Sequence, residues 1–195
     1  MFKDKMHELS RSGSIEVVCG SMFSGKTEEL IRRVKRAQIA KQKVYIFKPT
    51  LDIRYSKDDV VSHDQTSISA IPIENARLII HYGKDADVIA IDEAQFFDHN
   101  VVEVAVTMAA QGKRVICAGL DMDFLGHPFG PMPELMAVAD EVYKTRAICV
   151  RCGRLANFSY RTAQSNELVL LGETKEYEPL CRSCYNELMN PLKED

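Results

Sequence analysis

The chain has 195 residues, of which 46% are hydrophobic and 27% are charged, and its formal net charge is −3 at pH 7. These values fit one globular core with room for a small module, and they give no global basic field, so we expect no nucleic-acid partner. No apolar run approaches the roughly 18 residues that a membrane span needs. Residues 1–13 are polar and lack the apolar core of an export signal. We therefore expect a cytoplasmic protein without a membrane partner, and a flexible tail over residues 1–13.

The first predicted strand, Ile15 to Cys19, leads into a phosphate-binding loop motif. The next eight residues match the pattern G-x-x-x-x-G-K-[ST] at every fixed position, and a helical pattern begins at Lys26. In this setting, the backbone N–H groups of the loop and the helix N-terminus can surround the phosphates of a nucleotide. An ordinary Gly/Ser turn is the alternative. The predicted nucleotide-binding residues are Gly20, Ser21, Met22, Phe23, Ser24, Gly25, Lys26 and Thr27.

Two side chains of this motif carry chemistry of their own. Lys26 would bring a positive charge to the β- and γ-phosphates, and the hydroxyl of Thr27 would ligate Mg²⁺. We therefore predict that Lys26 is a catalytic residue and that Thr27 is a magnesium ligand.

Beyond the loop, apolar strands alternate with helical patterns. The strands are apolar throughout, which favours a parallel sheet covered on both faces by helices, an α/β fold of the P-loop, RecA-like type. Residues 50–69 are polar and aperiodic, as expected of a lid or binding loop. The further predicted elements are helix 27–42, strand 43–48 stopped by Pro49, helix 74–82, strand 87–92, helix 101–111, strand 114–120, helix 133–139 and strand 141–143.

An acidic pair, Asp92-Glu93, follows the apolar strand residues Val88 to Ile91. A carboxylate at the carboxyl end of a buried strand lies beside the phosphate loop in folds of this type, where Mg²⁺ has to be held. Asp92 is the better metal ligand, through water, because Mg²⁺ keeps much of its hydration. Glu93 could accept a proton from an attacking hydroxyl or water. A solvated strand end is the alternative for both.

Four of the six cysteines form two C-x₂-C pairs in the part of the chain that follows Arg146. This spacing suits tetrahedral Zn²⁺ with four protein ligands, which makes the site structural rather than catalytic. Two disulfides or an iron–sulfur cluster are the alternatives. The other two cysteines, Cys19 and Cys117, fit small buried hydrophobic side chains. The predicted zinc ligands are Cys149, Cys152, Cys181 and Cys184.

The composition change near Arg146 predicts two domains. We expect a nucleotide-binding domain over residues 14–145 and a zinc-binding domain without a long helix over residues 146–195. Between the cysteine pairs, residues 168–172 form an apolar run that ends in Gly, and Tyr177 precedes Pro179. The run fits either a hairpin strand or a loop that closes over a ligand.

These motifs together resemble those of the zinc-containing thymidine kinases of bacteria, animals and some large DNA viruses. The resemblance covers nearly the whole chain after the first dozen residues, in the family's order and near its spacings. It rests on the loop interior Met22-Phe23-Ser24, Asp52-Ile53-Arg54-Tyr55, Asp92-Glu93-Ala94-Gln95-Phe96-Phe97, Gly119-Leu120-Asp121, Phe124, Pro128-Phe129-Gly130 and the two cysteine pairs.

The resemblance implies a reaction in which ATP gives its γ-phosphoryl group to the 5′-hydroxyl of thymidine, forming thymidine monophosphate for DNA synthesis. It implies that Glu93 is the general base and that Thr27 and Asp92 serve the magnesium ion. Arg54 would act as a catalytic cationic clamp on the phosphates, with a solvated loop charge as the alternative. The implied cofactor-binding residues after the third strand are Asp92, Glu93, Ala94 and Gln95.

The resemblance also implies a nucleoside pocket and an assembly. The segment between the cysteine pairs resembles the family's substrate-covering loop, in which backbone groups hold the thymine, Gly172 allows close approach and Tyr177 lies near the sugar. Ser159 stands where some relatives have Thr, and Leu168 where some have Val, so the chemical type is kept. The family implies a homotetramer inhibited by thymidine triphosphate. The implied pocket residues are Met22, Leu120, Phe124, Phe129, Ser159, Leu168, Val169, Leu170, Leu171, Gly172 and Tyr177.

Three other functions compete with this interpretation. A nucleic-acid translocase would share the acidic box of residues 92–95, but the chain is too short for two motor domains and its net charge is negative. A GTP-binding switch would need an N-K-x-D motif, which the sequence lacks. A non-enzymatic zinc module would leave the phosphate loop and Glu93 without a purpose.

Overall fold

A computed structural model describes residues 13–50, 59–61, 67–162 and 176–189. Its centre is a six-stranded sheet in which all neighbouring strands are parallel. In chain order, the first eight strands are β1 (Ser14–Cys19), β2 (Val44–Pro49), β3 (Asp59–Val61), β4 (Ser67–Ser69), β5 (Ile71–Ile73), β6 (Val88–Ile91), β7 (Arg114–Gly119) and β8 (Glu141–Lys144). The sheet order is β5-β2-β6-β7-β1-β8, and β3 pairs separately with β4 in an antiparallel hairpin.

Helices cover both faces of the sheet, as the continuous apolar strands predicted. They are α1 (Lys26–Ile39), α2 (Leu78–Tyr82), α3 (Asn100–Ala110) and α4 (Met132–Val138). Successive side chains of a strand point to opposite faces. In β1, Val17 therefore packs in the core beneath α2, α3 and α4, while Val18 packs beneath α1. The α/β prediction is confirmed, and burial on both faces explains why the strands show no alternation of polar residues.

Several boundaries differ from the sequence prediction, and three short strands were not predicted: β3 and β4, which lie in the segment 50–69 that was expected to be a loop, and β5. Strand β2 includes Pro49, which we expected to stop it. Strand β5 was missed because it has only three residues and contains Pro72. The helix predicted from residue 74 begins at Leu78, because the Asn75 side chain accepts the N–H of Arg77 at 2.8 Å and forms a turn first.

The chain after Arg146 forms small antiparallel pairs and one short helix. These elements are β9 (Ala147–Ile148), β10 (Leu155–Ala156), β11 (Phe158–Arg161), β12 (Tyr177–Leu180) and α5 (Arg182–Met189), with β9 paired to β10 and β11 to β12. They enclose a third hydrophobic cluster that contains three of the paired cysteines, and Phe23 and Met122 pack against it from the rest of the chain. In the described ranges, no helix is both long and apolar enough to cross a membrane.

A network of ion pairs ties α1 to the sheet. Arg33 of α1 contacts Glu16 of β1 and donates to Glu29 at 2.7 Å and to Glu141 of β8 at 2.8 Å. Arg114 of β7 donates two further hydrogen bonds to Glu16, at 2.5 and 2.9 Å. Burial alone would raise the pKa of Glu16, but the hydrogen bonds from Arg114 and Arg33 hold it below its ordinary value. The charges of this buried cluster are therefore mutually compensated.

Candidate functional site

The candidate site lies at the carboxyl edge of the parallel sheet. Because the strands are parallel, the segments that follow β1, β6, β7 and β8 all emerge at this edge. They are residues 20–25, the acidic pair 92–93, residues 120–121 and Thr145. Open α/β sheets bind ligands at this edge.

The loop of residues 20–25 joins β1 to α1, as the sequence predicted. Gly20 has φ 146°, and a Cβ there would lie 2.4 Å from the carbonyl oxygen of Thr145, so the position requires glycine. Phe23 and Gly25 also have positive φ, 61° and 85°, and α1 begins immediately afterwards. The backbone is therefore curled tightly between the strand and the helix.

Polar groups inside the loop bond to one another. The carbonyl of Ser21 accepts the ammonium of Lys26 at 2.9 Å and the hydroxyl of Ser24 at 2.7 Å. The Ser24 hydroxyl also lies 2.7 Å from that of Thr145, which donates to the carbonyl of Cys19 at 3.0 Å. Among the residues described, the buried Ser21 hydroxyl has no hydrogen-bond partner. The loop thus holds a lysine and an unsatisfied hydroxyl side by side.

The loop also contacts β11. The backbone N–H of Met22 donates to the hydroxyl of Ser159 at 2.9 Å. Both residues were predicted for the nucleoside pocket, and the structure brings them into direct contact.

The acidic pair follows β6 in an unusual backbone conformation. Asp92 is buried, and its Oδ1 accepts the backbone N–H of Glu93 at 3.0 Å. Glu93 is partly exposed and has φ 50° and ψ 41°. Such left-handed geometry is costly for a residue with a side chain, and it concentrates at functional sites. The two carboxylates therefore differ in environment although they are adjacent.

A 3₁₀ helix, Ala94–Phe96, follows Glu93. Its central residue, Gln95, is buried, and its side-chain amide donates to Glu93 Oε2 at 2.5 Å. The side-chain oxygen of Gln95, Oε1, accepts the backbone N–H of Leu120 at 3.0 Å. Gln95 was predicted to bind the cofactor, and the structure places its amide between two other predicted site residues, Glu93 and Leu120. Ala94 is buried beside it.

Aromatic residues lie along the segment that follows β7. Phe129 packs edge-to-face against Phe96, with ring centroids 5.7 Å apart. The guanidinium of Arg161 lies 3.7 Å from the ring centroid of Phe124 and donates to the Tyr177 hydroxyl at 3.1 and 2.7 Å. Arg161 and Tyr177 are both buried.

Sequence reasoning missed Arg161, although a signal was available. Ser159 and Arg161 are two residues apart in β11, and residues at i and i+2 of a strand share one face. Thr145 was also missed, and no local motif points to it. Arg54 and the pocket residues 168–172 lie outside the described residues.

An ion pair joins the end of β8 to the segment that follows β7. Lys144 Nζ is 2.5 Å from Oδ2 of the buried Asp121. Burial first, and then the charge of Asp121, raises the pKa of the Cys19 thiol to about 11, and burial raises that of Cys117 to about 12. Both thiols are buried and neutral at pH 7, as predicted for small hydrophobic side chains.

The four paired cysteines form one cluster. Their Sγ atoms all lie within 4.8 Å of one another, and all four thiols are free. Cys152 and Cys181 have Sγ atoms 3.5 Å apart, near the roughly 3.8 Å edge of a tetrahedron with Zn–S bonds of about 2.3 Å. Arg154 donates to Cys152 Sγ at 3.4 Å and lowers the pKa of that thiol to about 6. The donor set therefore fits a structural metal ion such as zinc.

Comparison with known proteins identifies relatives over most of the chain. A family model described as thymidine kinase matches residues 13–185. A thymidine kinase of Bacteroides thetaiotaomicron is 61% identical over 183 residues, which are 94% of this chain and 92% of the relative. One of Bacteroides fragilis is 58% identical over 192 residues (98% and 96%), and one of Porphyromonas gingivalis is 59% identical over 181 residues (93% and 89%).

Proposed function

The chain belongs to the thymidine kinase family, and from that premise we propose that it transfers the γ-phosphoryl group of ATP to the 5′-hydroxyl of thymidine. The observation that carries this proposal is the position of Glu93. Its carboxylate stands at the same sheet edge as the phosphate loop, in a strained backbone conformation, and accepts a hydrogen bond from Gln95. A carboxylate with this support suits a general base.

The loop of residues 20–25 provides the donor site. In the structure Lys26 bonds to the carbonyl of Ser21, and a phosphate oxygen would be a stronger acceptor because charge-assisted hydrogen bonds exceed neutral ones. The unsatisfied Ser21 hydroxyl and the N-terminus of α1 would add further donors. Lys26 would then neutralise charge that develops on the transferred group.

The acceptor site lies between Glu93 and the aromatic residues that follow β7. Phe124 and Phe129 of that segment and Tyr177 of β12 offer apolar and ring surfaces. Gln95 holds Leu120 near Glu93. Glu93 would accept the proton of the 5′-hydroxyl as that oxygen attacks the γ-phosphorus, the bond from the γ-phosphorus to the bridging β,γ oxygen breaks, and ADP leaves. Residues 168–172 would cover the nucleoside, and Arg54 would reach the phosphates.

The donor atoms near the loop fit a magnesium ion. Thr27 offers a hydroxyl in the first turn of α1, and Asp92 offers a buried carboxylate at the end of β6; Mg²⁺ prefers oxygen ligands of this kind. When bound, the ion would neutralise charge on the phosphates. Thr27 would bind it directly, and Asp92 would do so through water.

The family resemblance supports further proposals about the whole protein. We propose a nucleotide-binding domain over residues 14–145, a structural zinc domain over residues 146–195, a homotetramer and inhibition by thymidine triphosphate. Light scattering of the purified protein would test the homotetramer, and activity measured with added thymidine triphosphate at a fixed ATP concentration would test the inhibition. We also propose a cytoplasmic location, which cell fractionation would test.

An acceptor comparison tests the proposed function. We expect ATP consumption and a monophosphate product with thymidine, and little consumption with single-stranded DNA or without an acceptor. The rate of ATP consumption with deoxyuridine, compared with the rate with thymidine, measures how strictly the protein discriminates between the two bases. Consumption stimulated by DNA alone would overturn the proposal, and Lys26→Met serves as a control because a contaminating kinase would be unaffected by it.

A further inference from the structure

One buried amide connects the two sides of the proposed site. Gln95 is 3% exposed, and its side chain spans from Glu93 Oε2, at 2.5 Å, to the backbone N–H of Leu120, at 3.0 Å. Glu93, as the proposed base, lies where the phosphoryl group would be transferred, and Leu120 belongs to the predicted nucleoside pocket. The Gln95 side chain is therefore hydrogen-bonded to both sides of the proposed site.

The orientation of this amide is determined by its partners. The N–H of Leu120 requires an acceptor, which fixes the Gln95 oxygen on that side. The NH₂ group must then face Glu93, where a carboxylate accepts it. The reversed amide would place its oxygen against the carboxylate and its NH₂ against an N–H group, losing both hydrogen bonds.

The surrounding backbone leaves Gln95 little room to move. A Cβ at Gly119 would lie 2.7 Å from the side-chain oxygen of Gln95, Oε1, and a Cβ at Gly130 would lie 2.4 Å from the backbone carbonyl oxygen of Gln95. Glycines thus allow two chain segments to close around the residue. An amide that is buried, and whose oxygen and NH₂ group are both hydrogen-bonded, holds its partner more firmly than an exposed side chain could.

We propose that Gln95 is a positioning residue for phosphoryl transfer, whose amide fixes the carboxylate of Glu93 relative to the nucleoside side of the site rather than contacting the nucleotide. This inference rests on the proposed role of Glu93 as the base. General-base catalysis requires the carboxylate within hydrogen-bond reach of the hydroxyl, and a displacement of about 1 Å can reduce the rate roughly 10²-fold.

A double-mutant cycle tests this inference on the full-length chain. Gln95→Met keeps the length of the side chain and removes both hydrogen bonds. We expect kcat to fall roughly 10- to 100-fold, while KM for ATP changes less than about twofold because the phosphate loop is intact. In a Glu93→Gln background the same change should lower kcat by less than about twofold, because the group that it positions is no longer a base.

A second variant separates the two hydrogen bonds. Gln95→Glu keeps an acceptor for Leu120 and replaces the donor that faces Glu93, so we expect kcat to fall at least as far as in Gln95→Met. Gln111→Met, at an exposed position after α3, is the matched control and should leave kcat unchanged. Circular dichroism establishes that each variant is folded; if Gln95→Met does not fold, the cycle is completed with Gln95→Glu.

The outcomes distinguish the inference from the function on which it rests. An equal loss of kcat from the Gln95 change in both backgrounds would show that Gln95 acts independently of Glu93, and a rise in KM for ATP with unchanged kcat would show a nucleotide contact. Either result overturns the positioning role. If Glu93→Gln alone leaves kcat unchanged, the general-base assignment fails, and the positioning inference fails with it.

Discussion

The backbone N–H of Met22 donates to the hydroxyl of Ser159 across 137 residues of chain. Met22 belongs to the loop of residues 20–25, and Ser159 to β11, which leads from one cysteine pair toward the other. The neighbouring loop residue, Phe23, packs against the hydrophobic cluster around the cysteines. The part of the chain that would hold zinc therefore supports the loop that would hold ATP.

Removing the Ser159 hydroxyl should loosen this connection. We expect Ser159→Ala to lower the free energy of unfolding by about 1 kcal/mol, because the partly buried N–H of Met22 loses its acceptor. Ser159→Thr keeps the hydroxyl and should stay near the parent value. Urea unfolding of the three proteins measures the difference, and equal midpoints for all three would contradict it.

The cysteine cluster should hold one zinc ion per chain. Cys152→Ser replaces one thiolate ligand, so we expect loss of the metal and a lower melting temperature, since metal binding stabilises small modules directly. Metal analysis and thermal unfolding measure both effects. Cys117→Ala is the control, because Cys117 is buried in β7 and its removal should leave the metal content at one. Unchanged zinc in Cys152→Ser would exclude a four-cysteine site.

Acid should destabilise the protein through the carboxylates bonded to arginine. Hydrogen bonds from Arg32 and then Arg33, against the opposing effect of burial, lower the pKa of Glu29 from 4.5 to about 2. A group whose pKa is lowered by folding stabilises the native state above its unfolded pKa, and this contribution is lost as pH falls toward the folded value. We therefore expect the free energy of unfolding to decline between pH 4.5 and pH 2.

The variant Glu29→Gln should be less stable than the parent at pH 7 and should depend less on pH in that interval. Urea unfolding at several pH values measures both slopes. Glu187→Gln, an exposed position in α5, is the control and should follow the parent. A parent-like slope in Glu29→Gln would assign the acid sensitivity to other groups.

Local spacing made part of the site predictable. The loop from Gly20 to Thr27, the pair Asp92-Glu93 and the cysteine pairs are each contained in a few consecutive residues, so their chemistry shows directly in the sequence. The strands β1, β6 and β7 were recognisable because both faces are buried and each is an unbroken apolar run.

The rest depends on contacts between distant segments. The hydrogen bonds that Leu120 donates to Gln95 and that Met22 donates to Ser159, and the position of Arg161 over Phe124, join residues that are 25, 137 and 37 positions apart in the chain. No local pattern encodes such pairings, because they arise only when the sheet edge brings the loops together. The sequence assigned Gln95 to the cofactor from its place in the motif of residues 92–95, and its hydrogen bonds to Glu93 and Leu120 became visible only in the fold.

Lys26 should contribute to phosphoryl transfer more than to folding. Its ammonium bonds within the loop at 2.9 Å, and removal of a charge that neutralises the transition state typically costs about 10²-fold or more in kcat. We expect Lys26→Met to lose that factor with a melting temperature near the parent value. Lys35→Met, on the exposed face of α1, should retain full activity. Loss of activity in both variants would instead indicate a general effect on α1.

The most direct test of the account is the single-turnover rate of thymidine monophosphate formation in the parent protein and in Glu93→Gln, with ATP binding measured separately. If Glu93 takes the proton of the attacking hydroxyl, the rate falls by roughly 10²–10⁴ while the dissociation constant for ATP stays within about twofold. Equal single-turnover rates in the two proteins would contradict the account.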